Sequence, residues 1–124
     1  MRLAILLLIA GCGSDPVPVF GPPTETVCPP GGTTLTYTNF AATFMTDYCT
    51  RCHSSELVGT ARQGAPSFHD FDTYFGIVGV ADHVDETAAG GPSAMNRGMP
   101  QDGAIPSDDE RLMLGEWIAC DLPE

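Results

Sequence analysis

The sequence predicts an all-α fold: one small helical domain within a 124-residue chain. Apolar residues recur at the helical period in three separate stretches. The last stretch opens on the S-x-x-E spacing of a capping box, Ser107 to Glu110. No strand-rich pattern is visible along the chain. The expected organisation is a leader over residues 1–11, a tether over residues 12–34 and the helical domain over residues 35–124.

Arg2 is a minimal charged start, and the apolar run of residues 3–9 follows it. That run is far too short for a bilayer span, which takes about 20 residues. Ile9-Ala10-Gly11-Cys12 resembles the bacterial lipobox, in which cleavage precedes a cysteine that then receives lipid. The expectation is a lipid on Cys12 and a domain held to a membrane on the periplasmic side of the cell envelope. An ordinary secretory signal that happens to contain a cysteine is the alternative. The tether is rich in proline and glycine, so it is expected to be extended and not to pack.

The first helix is expected from about Asn39 to Cys52, capped by Thr38 or Asn39, with Phe40, Phe44 and Tyr48 as its apolar stripe. The second starts near Asp72 as N-cap and places Tyr74, Ile77, Ala81, Val84 and Ala88 on one arc. His83 falls off that arc and is expected to face solvent. Gly76 and Gly79 weaken this helix by about 1 kcal/mol each relative to alanine. The third begins at Ser107 and buries Leu114, Trp117 and Ile118, with Asp108 and Asp109 favoured by the helix dipole in its first turn.

Where the first helix ends stands Cys49-Thr50-Arg51-Cys52-His53. This is CxxCH, the attachment signature of a c-type haem. On a helix, positions i and i+3 share a face, so both sulfurs can reach one edge of a porphyrin and His53 can serve as the proximal iron ligand. The alternatives are a Cys49–Cys52 disulfide or half of a zinc site. Zinc would want four ligands, and the chain has no second CxxC or HxxxH.

Residues 90–100 read as loop. Pro100 disfavours the helical region at Met99, which places a thioether on extended chain about 45 residues after His53. Met99 is therefore the expected sixth ligand, and Met/His ligation suits electron transfer. Met95 on the same loop and His69 are the rivals. Met45 and Met113 lie on helices and fit core packing. With lipid on Cys12 and haem on Cys49 and Cys52, Cys28 and Cys120 remain of the five cysteines. In an oxidising compartment they are expected to form a disulfide.

CxxCH at the end of an N-terminal helix, a Met-Pro loop and a C-terminal helix with tryptophan together resemble class I cytochrome c, over about Leu35 to Leu122. The resemblance implies a small cytochrome c-like helical domain around one covalent haem c. It also implies that the first and last helices cross, with Phe44 or Phe40 meeting Trp117. By the same resemblance the carbonyl of Pro66 holds the ring N–H of His53. The long tether and the terminal disulfide depart from the family pattern.

The net charge is −11 and lysine is absent, so the phosphate contacts of a nucleic-acid binder have no basic cluster to make them. An acidic surface can steer a basic redox partner protein or can serve solubility alone. The expected function is electron carriage, with no substrate changed and hence no enzyme. A haem sensor or gas-binding module, a haem subunit of a larger redox complex, and a thiol–disulfide oxidoreductase using Cys49 and Cys52 are the alternatives.

Overall fold

Thr36 starts the first helical element. Its hydroxyl accepts the Asn39 amide while the Asn39 side chain accepts the Thr36 amide, a reciprocal cap. The cap thus sits ahead of the expected Thr38 or Asn39, because only Thr36 has the extended backbone that lets its side chain reach back. The structure is a computed structural model that describes residues 18–124. The leader and Cys12 lie outside the described residues.

A π-helical turn, Tyr37–Ala41, runs into α1, Ala42–Tyr48. The expected stripe is present. Phe40 and Phe44 are buried, and the rings of Phe40, Phe44 and Tyr48 follow one another at 5.7 and 5.0 Å. The helix stops at Tyr48 rather than Cys52. The Thr50 amide reaches back to Met45, and the Thr46 and Thr50 hydroxyls bond to the carbonyls four residues before them. Such bonds compete with the helix ladder.

A 3-10 turn follows at Gly59–Arg62, then α2, Tyr74–Val78, and α3, Ala81–Ala88. The expected second helix is thus two short ones, broken at Gly79 and Val80. Gly76 earns its place by close approach, since a Cβ there would lie 1.9 Å from the Asp70 carbonyl oxygen. Thr73, not Asp72, caps α2. Asp72 accepts instead from Ser54 and Ser55, the residues that follow His53. The last helix, α4, is Asp108–Ala119, with the Ser107–Glu110 capping box formed. Leu114 and Trp117 are fully buried, while Ile118 is half-buried.

Among the described residues the regular structure is helical, with one isolated bridge between Gly90 and Met95. The expectation of a small helical domain holds. A single buried cluster joins Phe40, Phe44 and Met45 of the first element to Ile77, Val84, Leu114 and Trp117. α3 packs on α4 and on α2, and the Tyr48 hydroxyl donates to Glu110 to link α1 with α4. The C-terminal tail closes the assembly. The Pro123 carbonyl accepts from both the Tyr37 amide and the Trp117 indole, and Leu122 accepts from Tyr74.

The expectation that the segment before residue 35 does not pack fails for its described part. Thr24 is buried, and its amide and hydroxyl both donate to the Asp85 carboxylate at 2.8 and 2.6 Å. The Gly21 amide donates to Glu86, and the Asn96 side chain donates to the Pro22 carbonyl. Proline and glycine content signals extended chain, but an extended chain can still be a strap when side chains such as Asp85 and Asn96 receive it.

Cys28 and Cys120 lie at disulfide distance, with Cα atoms 4.8 Å apart. The bridge spans 92 positions and fastens the strap to the end of α4. Replacing both cysteines by alanine is expected to lower the unfolding free energy by about 2–5 kcal/mol, as measured by denaturant titration. A smaller loss would mean that the strap and tail hold without the bridge.

Candidate haem-binding site

Both cysteines of the CxxCH motif face one cavity. The turn after α1 brings this about, because the Cys49 carbonyl accepts the amides of both Cys52 and His53. The cavity has a volume of about 520 Å³, within the range of about 300–1,000 Å³ typical of cofactor sites. Cys49, Cys52, His53, Pro66, His69 and Met99 all line it. Apolar groups such as Phe71, Val84 and Ala88 complete much of the wall. A flat, largely apolar cofactor with two thiol attachment points fits this donor set and this lining.

His53 is buried and stacks on Phe71 at 4.6 Å between ring centres. Its carbonyl accepts the Phe71 amide, which holds the ring pair together. Its Nδ1 is enclosed without a hydrogen-bond partner. Here the structure departs from the sequence expectation for Pro66. The Pro66 carbonyl accepts from Arg62 Nη2 and from the His69 amide, and not from His53.

Met99 and Met95 separate cleanly. The Met99 backbone is pinned at both ends: its amide donates to Thr87, and its carbonyl accepts from the buried Arg111 at 2.9 Å. The half-buried side chain lines the cavity. Met95 instead packs its sulfur over Gly90, where any Cβ would lie 2.6 Å from it, and is not among the cavity-lining residues. Arg111 also donates to the carbonyls of Ala88 and Asn96, so one side chain joins α4, the end of α3 and the Met99 loop.

His83 was expected to face solvent. It is half-buried, lines the cavity, and brings Nδ1 to 3.3 Å from His69 Nε2. Val84 and Ala88 stay buried as expected, and the cavity that they line extends to His83 beside them. His69 is thus engaged by His83, while the Met99 thioether makes no hydrogen bond among those of the described residues. Phe20, from the strap, meets His83 edge-on at 5.4 Å and lines the same cavity.

Cys49 and Cys52 are not bonded to each other. Among the described residues no group of three or more His, Cys, Asp or Glu side chains is placed to hold a bare metal ion. Burial pushes the Cys49 thiol up to about 12, whereas a nucleophilic redox cysteine has a lowered value.

Burial also holds His53 and His69 below the ordinary histidine value of 6.5. The positive charges of His69 and Arg62 add to this at His53, and those of His83 and Arg62 at His69. The folded chain therefore resists taking protons that the unfolded chain accepts below about pH 6.5. Stability is expected to be full above that pH and to fall as the pH drops through it. Glu110, held below its usual 4.5 first by the Ser107 amide and hydroxyl, titrates in a lower window. Denaturation series of the haem-free chain between pH 7 and pH 5 should show the fall, and His69→Gln should reduce it. A flat wild-type profile would contradict the assignment.

No family model, no curated protein and no solved structure matches this chain.

Proposed function

We propose that this chain is a c-type cytochrome that carries single electrons on one haem, which Cys49 and Cys52 would hold covalently and whose iron His53 and Met99 would ligate. The observation that carries the reading is that both thiols, the imidazole and one specific thioether line a single cavity of about 520 Å³. When bound, haem supplies an iron that gains and loses one electron. The chain's own residues attach, orient and enclose it. Cys49 and Cys52 would attach the haem. Phe71 keeps the His53 ring in place. Arg111 and Thr87 hold the backbone at Met99. Phe71, Val84 and Ala88 exclude water from the wall. No substrate is bound or changed on this reading, so the protein is a carrier and not an enzyme.

The cytochrome c-like assignment belongs to this proposal. It is supported by the helical architecture and by the placement of Met99 rather than Met95 at the cavity. The net charge of −11 favours a basic redox partner protein, whose encounter would weaken as salt rises. No helix among the described residues is long and apolar enough to cross a membrane. Membrane attachment is proposed through lipid on Cys12, on the periplasmic side of the cell envelope.

Two sets of variants test these proposals. Met99→Ala should abolish the red-region sulfur-to-iron absorption band of the ferric protein and admit carbon monoxide to the ferrous one, and Met95→Ala should do neither. An unchanged spectrum in the Met99 variant would reassign the ligand. For the anchor, wild-type protein should stay with membranes through a high-salt wash, as multiple acyl chains require. Cys12→Ser should release the haem domain with its spectrum intact. Wild-type protein that washes off with salt would make the chain a soluble one.

A further inference from the structure

The strap that precedes the first helical element lies along the loop that carries Met99. The Asn96 side chain donates to the Pro22 carbonyl at 2.9 Å and to that of Asp85 at 2.8 Å. The Ser93 amide donates to the Thr24 carbonyl at 3.0 Å, and the Thr26 hydroxyl donates to the Gly90 carbonyl at 3.3 Å. Asn96 is 5% exposed and stands three residues before Met99. The seam is fitted closely at its backbones. A Cβ at Gly98 would lie 1.9 Å from the Val19 carbonyl oxygen, and one at Gly21 would lie 2.0 Å from Asn96 Oδ1. Neither glycine has a positive φ, so the approach of the strap, and not a turn, requires them. Val19 and Phe20 also line the cavity, together with Met99 and Pro100.

We propose that the docked strap is a positioning segment for the iron's sixth ligand: it fastens the loop that carries Met99, so that the thioether leaves the iron only when the strap lifts. This deepens the haem reading and rests on it, with Met99 as ligand, for the spectroscopic readout below. Bonds to Thr87 and Arg111 fix Met99 itself, and the strap fixes the residues just before it. The strap in turn hangs on α3. Asp85 accepts the Thr24 amide and hydroxyl, and the Gly21 amide donates to the Glu86 carbonyl at 2.7 Å. Thr24 is 1% exposed, so its bonds to Asp85 are shielded from water, and bonds to a carboxylate are stronger than neutral ones. With the strap docked, the iron site is the closed one of an electron carrier. With the strap lifted, the same chain offers an open position for a small neutral diatomic ligand.

The test is Asp85→Ala, which removes the acceptor of Thr24 and leaves every side chain of residues 90–100 in place. Reduced protein is mixed with carbon monoxide, and uptake is followed by absorbance. Uptake should be about tenfold faster than in wild type, and the sulfur-to-iron band of the ferric form should be weaker. Uptake at the wild-type rate would overturn the proposal. Phe40→Leu thins the core at a buried residue that does not line the cavity. It should lower the denaturation midpoint and leave uptake at the wild-type rate. An equal rise in uptake there would mean that general loosening opens the site, and would also overturn the proposal.

Amide hydrogen exchange of the wild-type protein guards against a variant that does not fold. The Gly21 and Thr24 amides of the strap and the Asn96 and Met99 amides of the loop should share one opening, below the global unfolding that the α4 amides report. A Met99 amide that exchanges ahead of Thr24 would show the loop opening beneath a docked strap, and would overturn the proposal. A Met99 amide protected to the level of α4 would overturn it too, because lifting the strap would then leave the loop closed. Failure of the haem reading would look different: the pigment would extract freely into acid acetone, whatever the exchange pattern.

Discussion

Irregular backbone can enclose a cavity only if its buried carbonyls find donors, and in this protein two arginine side chains supply them. Arg62 gathers the carbonyls of the segment after His53, and Arg111 gathers those of Ala88, Asn96 and Met99. Helices contribute the core, but the two segments that carry the candidate ligands are not helical. Without the guanidinium groups each segment would leave several carbonyls unpaired, at about 1–3 kcal/mol for each buried one. The two sites are built on one plan: a planar cation inside, a ligand-bearing loop wrapped around it, and the cavity beyond.

The second constraint is size. The domain closes on itself through its ends. The strap at Thr24 docks on Asp85, Cys28 meets Cys120, and the tail at Leu122 and Pro123 receives Tyr74, Trp117 and Tyr37. The disulfide restricts the unfolded chain, and the strap and tail contacts tie the first element to the last in the folded one. A small domain that buries only roughly 60% of its unfolded surface gains from such closure. An apolar cofactor in the cavity would add further buried surface to a core that is otherwise thin.

Much of this was legible in the sequence. CxxCH located the thiols and the imidazole, the Phe40, Phe44 and Tyr48 stripe located the first helix, and Ser107 with Glu110 located the last. The Cys28–Cys120 pair followed from arithmetic. Met99 lines the cavity together with its rival His69, and Met95 is not among the lining residues. What escaped was set by tertiary contact. Asp72 looked like a cap because it precedes a helix, but its carboxylate serves Ser54 and Ser55. His83 lies off the apolar arc, but His69 and Phe20, which are distant in sequence, meet it at the cavity. The strap read as unpacked because composition cannot see the Asp85 and Asn96 side chains that receive it. Arg62 and Arg111 leave only a compositional signal in the sequence: a chain without lysine that retains arginine fits sites where a planar fork is required.

The proposed function depends on covalent attachment of one haem at Cys49 and Cys52. Intact mass of the purified protein tests it most directly. Covalent attachment predicts the mass of the chain plus one haem, with neither Cys49 nor Cys52 open to alkylation after denaturation. The mass of the bare chain, with both cysteines alkylated, would contradict it.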